Sequence, residues 1–202
     1  MVFGALLLLL TACPRSKPTY IDLGKIPVQY LTTVPYKNGE VFRMQHETSK
    51  VIVDFEVERH RRKTSSEGYG PLPTRFEPAP DYYYEYEVDM TTCKPKYPVF
   101  DLSISLSNAY MLNEVEMQSW YKKAEIFAVG SARVPFVGDD HSDYEIIDSL
   151  EVNGHYYKDV FKLKTDNNND ELIHAETIFY NYENGFVGIV MSNGEKYMLY
   201  ED

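Results

Sequence analysis

Cysteine and tryptophan are scarce in this sequence, which has two cysteines, Cys13 and Cys93, and one tryptophan among 202 residues. A disulfide framework is excluded, because two cysteines allow one bridge at most. A chain of this length buries roughly 70% of the surface that its unfolded form exposes, so it needs neither that bridge nor a structural metal to fold. A composition of 44% hydrophobic and 25% charged residues excludes a disordered or fibrous chain.

Basic residues are few in the C-terminal third. The chain has 16 basic and 16 acidic residues between Met1 and Phe136, but 4 basic and 15 acidic residues between Val137 and Asp202. The whole formal net charge of −11 therefore arises in that third. A surface of this sign repels phosphate backbones, and we expect no nucleic acid as a partner. The pattern predicts a solvated acidic face, with a cation- or partner-binding face as the alternative.

Familiar catalytic motifs are missing as well. The sequence has no Gly-x-Ser-x-Gly elbow, no His-Glu-x-x-His, no Cys-x-x-Cys and no glycine-rich phosphate loop. Catalytic residues can be scattered along a chain, so this lowers the expectation of an enzyme without excluding one. We predict a protein that is not an enzyme and expect no cofactor.

The N-terminus has the pattern of a targeting signal. The apolar run that ends at Leu10 is too short to span a bilayer, which takes about 20 residues, and it fits the hydrophobic part of a secretory signal. Leu10-Thr11-Ala12-Cys13 resembles the bacterial lipobox, which implies cleavage before Cys13 and attachment of diacylglycerol and a further acyl chain such as palmitate there. Residues 1–5 lack the usual Lys or Arg, and a short buried apolar N-terminus is the alternative. We predict a signal peptide over 1–12, a lipidated cysteine and tether over 13–27, and a single β-rich domain over 28–202.

Alternation of apolar and polar residues predicts half-buried strands through most of the domain. The alternating runs are Val41–His46, Val51–Glu58, Tyr82–Met90 and Phe100–Leu106. In the third run the tyrosines at 82, 84 and 86 with Val88 and Met90 are predicted to face the core, and Tyr83 to lie on the opposite, acidic face. Residues such as Phe55, Tyr84 and Ile104 would then point inward.

Four Asn-Gly pairs indicate hairpin turns, because both residues tolerate the positive φ of a type I′ turn. The last two predict a C-terminal meander of Thr177–Tyr182, Phe186–Met191 and Lys196–Tyr200. The fold class that we predict is mainly β, with antiparallel hairpins and this meander forming a curved sheet, a partial barrel or a sandwich. The four pairs begin at Asn38, Asn153, Asn184 and Asn193.

Two segments do not follow this alternation. Asn113–Gly130 fits an amphipathic helix with a capping box, or two short strands broken near Lys122. The surrounding hairpins favour the strands. Arg59–Pro80 begins with a basic run and continues with glycine and four prolines, and we predict a long irregular loop there.

Three groups of residues are candidates for binding. Asp139, Asp140, His141 and Asp143 have side chains that ligate metals, although such an acidic loop is more often only solvated. Asp166–Asp170 resembles the start of a calcium loop but lacks the glycine and glutamate of that motif. The basic run Arg59, Arg61, Arg62 and Lys63 suits anionic lipid headgroups or a phosphate. It would otherwise keep a strand edge soluble or meet the acidic face of the same molecule.

Two further side chains are candidates for surface chemistry. Tyr83 would be available for stacking on a sugar or filling a partner's pocket. Cys93 stands beside Lys94 and Lys96, which would lower the pKa of a reactive thiol. A quiet thiol at a strand end is the alternative.

Several segments resemble small envelope lipoproteins of the Bacteroidota: Val34–Glu40, Ser149–Val160, Tyr180–Val190 and Gly194–Leu199. The resemblance implies an antiparallel β fold and a lipid anchor in the bacterial outer membrane. Pro14–Pro18 contains no acidic residue, so the resemblance also implies that the protein faces the periplasm. We predict an exported, membrane-anchored envelope lipoprotein that binds or scaffolds an envelope protein. The alternatives are a carrier of a lipid or other apolar ligand in a half-open barrel and a metal-dependent hydrolase.

Overall fold

Twelve strands and one short helix make up the part of the chain that the computed structural model describes, residues 17–68, 82–96, 100–107, 114–123, 126–134, 144–165 and 173–202. For 114–123 and 126–134 the description covers the backbone. The elements in chain order are β1 (Thr19–Asp22), α1 (Val28–Leu31), β2 (Val41–His46), β3 (Ile52–Gly68), β4 (Tyr82–Pro95), β5 (Phe100–Ser107), β6 (Glu114–Lys123), β7 (Ile126–Val134), β8 (Tyr144–Val152), β9 (His155–Lys164), β10 (Ala175–Asn181), β11 (Gly185–Met191) and β12 (Lys196–Leu199).

The strands form one sheet in the order β7-β6-β5-β4-β3-β2-β12-β11-β10-β9-β8, with every neighbouring pair antiparallel. It consists of two meanders, β2–β7 and β8–β12, which join where β12 pairs with β2. β7 approaches β9 and β10, but the sheet is not closed into a barrel. The mainly β prediction is confirmed.

The core lies on the face of the sheet that the predicted alternation buries in β2, β3 and β5. In β5 the odd-even pattern is complete: Phe100, Leu102, Ile104 and Leu106 are buried, and the residues between them are not. Aromatic rings fill the centre where the two meanders meet. Phe42 lies 5.1 Å from Phe55 and 6.3 Å from Phe186, measured between ring centroids.

The C-terminal meander is confirmed, with β10, β11 and β12 close to the predicted bounds. Only one Asn-Gly pair has the dihedral angles of a type I′ turn: Asn153 and Gly154 have φ of 51° and 85°. At the other three pairs only the glycine has positive φ among the described residues. The pairs at 153, 184 and 193 connect paired strands as predicted, whereas the pair at 38 lies between α1 and β2 and forms no hairpin. The turn type was predicted correctly once.

The irregular loop predicted for Arg59–Pro80 is wrong over its first half. β3 continues unbroken to Gly68 and pairs with β4 in constant register from Phe55 opposite Pro95 to Gly68 opposite Tyr82. Charged residues have little intrinsic preference for strands, but their partners across the hairpin hold them there. Residues 69–80 of the predicted loop lie outside the described part.

The described residues of the ambiguous segment Asn113–Gly130, 114–123 and 126–130, form strands rather than a helix. β6 ends at Lys123 and β7 begins at Ile126, so the break falls where the two-strand interpretation put it. β6 pairs with β5, and β7 pairs with β6.

The faces of β4 are the reverse of those predicted. Cα partners across a ladder share a face. Val57 lies opposite Cys93 and Arg61 opposite Asp89, so the acidic residues continue the core face of the sheet. The tyrosines at 82, 84 and 86 lie on the other face, half-buried. The alternation itself was predicted correctly, but Arg59 and Arg61 on β3 decide which side the carboxylates take.

Part of the predicted tether is docked on the domain. β1 adds a parallel strand to β4, with Tyr20 opposite Tyr83 and Asp22 opposite Glu85. Ile26 is buried, and its N–H donates to Glu87 Oε2 at 2.9 Å. The chain is therefore fixed to the sheet from Thr19 onward.

Candidate functional site

The basic run on β3 meets a buried carboxylate. Arg59 donates to both oxygens of Asp89, from Nε to Oδ1 at 2.9 Å and from Nη2 to Oδ2 at 3.0 Å. Arg61 donates from Nη2 to Asp89 Oδ2 at 3.1 Å. Asp89 is only 2% exposed, and the Arg59 side chain is 18% exposed. A bidentate pair that is this well shielded from water is a strong, directional contact.

Arg59 also holds the segment that precedes β2, residues 23–36, which we call the N-terminal segment. Its Nη1 donates to the carbonyl oxygens of Val34 at 3.0 Å and Tyr36 at 2.8 Å, and its Nη2 donates to the carbonyl of Leu31 at 3.3 Å. With Asp89, these acceptors satisfy the guanidinium. Arg59 is therefore a structural brace and is not available to an external phosphate.

The other cations of the run differ in what they contact. Lys63 bridges Glu85 at 2.7 Å and Asp22 at 3.1 Å, and these two carboxylates raise the pKa of its ammonium group. Arg62 lies on the opposite face of β3, opposite Val88, and it is exposed. Its guanidinium forms no ion pair with the residues that the structure describes. The run thus meets carboxylates of the same molecule, but they lie on β1 and β4 and not in the acidic C-terminal third where the sequence analysis placed them.

Tyr83, the predicted surface aromatic, is half-buried against Tyr20. The two rings stack with centroids 5.4 Å apart and an interplanar angle of 23°. Tyr20 is 60% exposed. The Tyr20 ring therefore covers Tyr83, and Tyr20 is the ring of this pair that meets solvent.

The N-terminal segment also reaches the C-terminal meander. Tyr180 Oη donates to the Thr33 carbonyl at 2.6 Å, and the Phe186 N–H donates to Tyr36 Oη at 2.7 Å. Both tyrosines are fully enclosed, and this burial raises their pKa well above the ordinary value. One short segment thus fastens β3 and β4 to β10 and β11.

A groove of about 370 Å³ opens beside this segment. Arg43 is its one cation among the described lining residues, and it donates to Asp202 Oδ1 at 3.1 Å and Oδ2 at 2.6 Å. This pairing lowers the pKa of Asp202 and raises that of Arg43. The walls are formed by Pro35, Tyr36, Glu40, Val41, Phe42, Arg43, Glu183, Asn184, Leu199, Tyr200, Glu201 and Asp202. The groove has no signature in the sequence, because its walls come from three separated segments with no shared pattern.

The residues expected to line a carrier's cavity do not share one interior. Phe55 and Ile104 are fully buried in the core, and Phe55 packs against Phe100 with ring centroids 5.5 Å apart. Tyr84 lies on the other face of the sheet, since it pairs with Ser66. A carrier would need an open cavity around Phe55, but packed side chains fill that space.

The predicted metal ligands Asp139, Asp140, His141 and Asp143 lie outside the described residues, as does Asp166–Asp170. Within the described part, no group of three or more metal-ligating side chains converges. A serine hydroxyl and a histidine ring meet in the β2–β3 turn, where His46 Nδ1 lies 2.7 Å from Ser49 Oγ and accepts the Ser49 N–H at 3.1 Å. Because a single ring nitrogen receives both groups inside the β2–β3 turn, the contact closes that turn.

Cys93 is fully buried in the core. Burial raises the pKa of its thiol, which is the reverse of what a reactive cysteine needs. The enclosed position of Cys93 favours the quiet-thiol interpretation. Lys94, which was expected to activate it, points to the other face and binds Glu58 at 2.8 Å.

Comparison of the chain with family models, curated proteins and solved structures finds no match. The part of the chain that the structure describes contains no helix with the length and apolar character that crossing a membrane requires. The site must therefore be interpreted from its own geometry.

Proposed function

We propose that the protein is a lipid-anchored binding or scaffolding module of the bacterial envelope. The anchor is Cys13, at the end of the lipobox-like sequence Leu10-Thr11-Ala12-Cys13. A diacylglycerol and a further acyl chain on one cysteine supply the two hydrophobic signals that stable membrane attachment needs. The proposed location is the periplasmic face of the outer membrane, as the resemblance to envelope lipoproteins implies.

The observation that supports a binding or scaffolding role is the way the domain keeps its shape. Arg59 connects β3, β4 and the N-terminal segment through five hydrogen bonds, and aromatic rings fill the junction of the two meanders. A domain braced in this way presents fixed surfaces to a partner. Its partners on this proposal are the membrane, through the anchor, and an envelope protein.

Replacement of the anchoring thiol tests the proposal. We expect Cys13→Ser to move the protein from the membrane fraction to the soluble fraction, because the acyl chains then have no attachment point. Cys93→Ala is the matched control: it removes the other cysteine and should leave the protein in the membrane fraction. Mass spectrometry of the N-terminal peptide should find the acyl chains on Cys13. A Cys13→Ser protein that still sediments with membranes would contradict the anchor.

Native mass spectrometry separates the module from the carrier alternative. The purified protein should have the mass of the mature chain with its acyl groups and nothing more. Additional mass that extracts into organic solvent would instead favour a carrier and would direct attention to a cavity beyond the described residues.

A further inference from the structure

The chain between Cys13 and the first strand is short. Five residues lie between Cys13 and Thr19. The six steps from one to the other span at most about 3.5 Å each in an extended chain, or about 21 Å in all. β1 is hydrogen-bonded to Tyr82–Glu85 of β4. A lipid on Cys13 therefore keeps this end of β4 within about 21 Å of the bilayer surface.

This end of the sheet projects beyond its neighbours. β2 covers β3 up to Glu56, and β5 covers β4 only as far as Val88. The hairpin continues from Lys63 to Gly68 on β3, which at about 3.4 Å per residue extends it by about 17 Å. We call this projection the arm; it comprises β1, residues 63–68 of β3 and residues 82–87 of β4.

The arm is rich in tyrosine. Its five rings belong to Tyr20, Tyr82, Tyr83, Tyr84 and Tyr86. Tyr20 is 60% exposed, and the four on β4 are half-buried. Tyrosine has an apolar ring and a polar hydroxyl, and it is enriched where membrane proteins meet the headgroup region.

The arm is itself acidic, with Lys63 against four carboxylates at 22, 67, 85 and 87. Lys63 is paired with Asp22 and Glu85, and exposed Arg62 stands directly before the arm. The excess of 11 negative charges lies after Val137, in the part that contains β8–β12. Charge therefore does not set the orientation. The short tether does, because the C-terminal meander joins the sheet through β2, which pairs with Ile52–Glu56 at the opposite end of β3 from the arm.

We propose that the arm is the membrane-facing end of the protein and lies at the headgroup level of the bilayer that holds Cys13, with the acidic meander of β8–β12 turned away. This inference rests on the proposed lipid anchor. The tyrosine rings of the arm contact the lipid headgroups.

Depth-dependent fluorescence quenching tests the orientation. The full chain is produced in bacteria, its N-terminal peptide is checked for acyl groups, and the protein is placed in vesicles of phosphatidylethanolamine and phosphatidylglycerol. Single cysteines are introduced as Ser65→Cys on the arm and Ser149→Cys on β8. Both positions are exposed serines on strands, and each cysteine is labelled with a small fluorophore. The unsubstituted chain reports background labelling of buried Cys93.

We expect headgroup-attached nitroxide lipids to quench most of the fluorescence at Ser65→Cys and almost none at Ser149→Cys. Glu67→Cys, a second exposed position on the arm, should behave like Ser65→Cys. If Cys13 is acylated and neither arm label is quenched, or if the β8 label is quenched as strongly, the orientation is wrong while the anchor stands. If Cys13 has no acyl chain, the anchor is wrong and the orientation falls with it.

Discussion

The arm and the C-terminal meander of β10–β12 are built from the same element, the antiparallel hairpin, but opposite interactions hold them. In the meander, β11 is buried on both faces, with Phe186, Val187 and Ile189 enclosed by neighbours. At the base of the arm, the enclosed side chain is Asp89, and two arginines surround it. One hairpin is stabilised by removal of apolar area from water, and the other by matching of charges in a place that water hardly reaches.

The difference shows what an alternating sequence does and does not determine. Period-two alternation separates a strand into two faces, but it does not state which face turns inward. In β11 no choice is needed, because both faces are apolar. In β4 the arginines of β3 make the choice, and they turn the carboxylates inward and the tyrosines outward.

The largest expected effect comes from removing the carboxylate at the base of the arm. Asp89→Ala leaves Arg59 with a shielded and uncompensated charge, and loss of one partner from a buried pair typically lowers the free energy of unfolding by about 3–5 kcal/mol. Urea denaturation followed by circular dichroism measures the loss. Asp101→Ala, which removes an exposed aspartate from the adjacent strand β5, is the control and should change stability by less than about 0.5 kcal/mol.

A double variant tests whether the loss arises from the unpaired charge. Arg59→Leu combined with Asp89→Leu removes both charges and restores apolar packing. Replacement of a buried pair by hydrophobic residues is often neutral, but here it also removes the donors to the carbonyls of Leu31, Val34 and Tyr36. This protein should therefore be more stable than Asp89→Ala and less stable than the unsubstituted protein. An Asp89→Ala protein as stable as the Asp101→Ala control would contradict the assignment of Arg59 and Asp89 as the brace.

The next effect concerns the meander and is steric. Gly185 has φ of +78°, and a Cβ at this position would lie 2.3 Å from Tyr36 Oη. Gly185→Ala should therefore combine left-handed backbone strain with overpacking against a buried ring, at about 2–4 kcal/mol together. Thermal and urea unfolding measure the change.

Gly194→Ala separates the two contributions. Gly194 has φ of +84°, but a Cβ there meets nothing within 4 Å. It should lose only the backbone part, about 1–2 kcal/mol. Equal losses at the two glycines would show that the Tyr36 ring moves aside easily, and that the N-terminal segment is not firmly held against β11.

The sequence was sufficient for most strands and for three of the four Asn-Gly hairpins, because these depend on local patterns. It was insufficient for β3 beyond Arg59, where charged residues were taken as loop-forming. A signal was present: Arg59, Arg61 and Lys63 alternate, and so do Glu85, Glu87 and Asp89. Pairing the two runs as one hairpin would have put opposite charges on the same face.

The site was predictable only in part for a related reason. The basic run stands out in the sequence, where anionic ligands, a soluble strand edge and an acidic face of the same molecule were all open interpretations. Its partner Asp89 could not be recognised, because it lies some 30 residues away. The contacts of Tyr36 and Tyr180 with β11 and Thr33 connect positions about 150 residues apart. No local pattern encodes such contacts, since they depend on how the two meanders meet.

A change of pH is expected to give the smallest effect on stability. It should weaken the arm at acid pH and the C-terminal meander at alkaline pH. The Gly24 N–H and then Lys63 lower the pKa of Asp22 on the arm, so its stabilising contribution is present above the ordinary pKa of 3.8 and is lost as the pH falls below it. Burial raises the pKa of Tyr36 and Tyr180. Their contribution is present below the ordinary pKa of 10 and is lost as the pH rises beyond it.

NMR amide signals can follow both ends of the pH scale in one protein. Below pH 4 the signal of Gly24, whose N–H donates to Asp22 Oδ1 at 2.9 Å, should shift while those of β11 stay constant. Above pH 10 the signals of β11 should broaden as the meander opens. Asp22→Asn keeps the size of the side chain and removes its titration, so it should abolish the acid transition at Gly24 alone. An acid transition that persists in Asp22→Asn would mean that a group other than Asp22 holds β1 in place. The contrast between a charge-stabilised arm and an apolar meander would then be weaker than we propose.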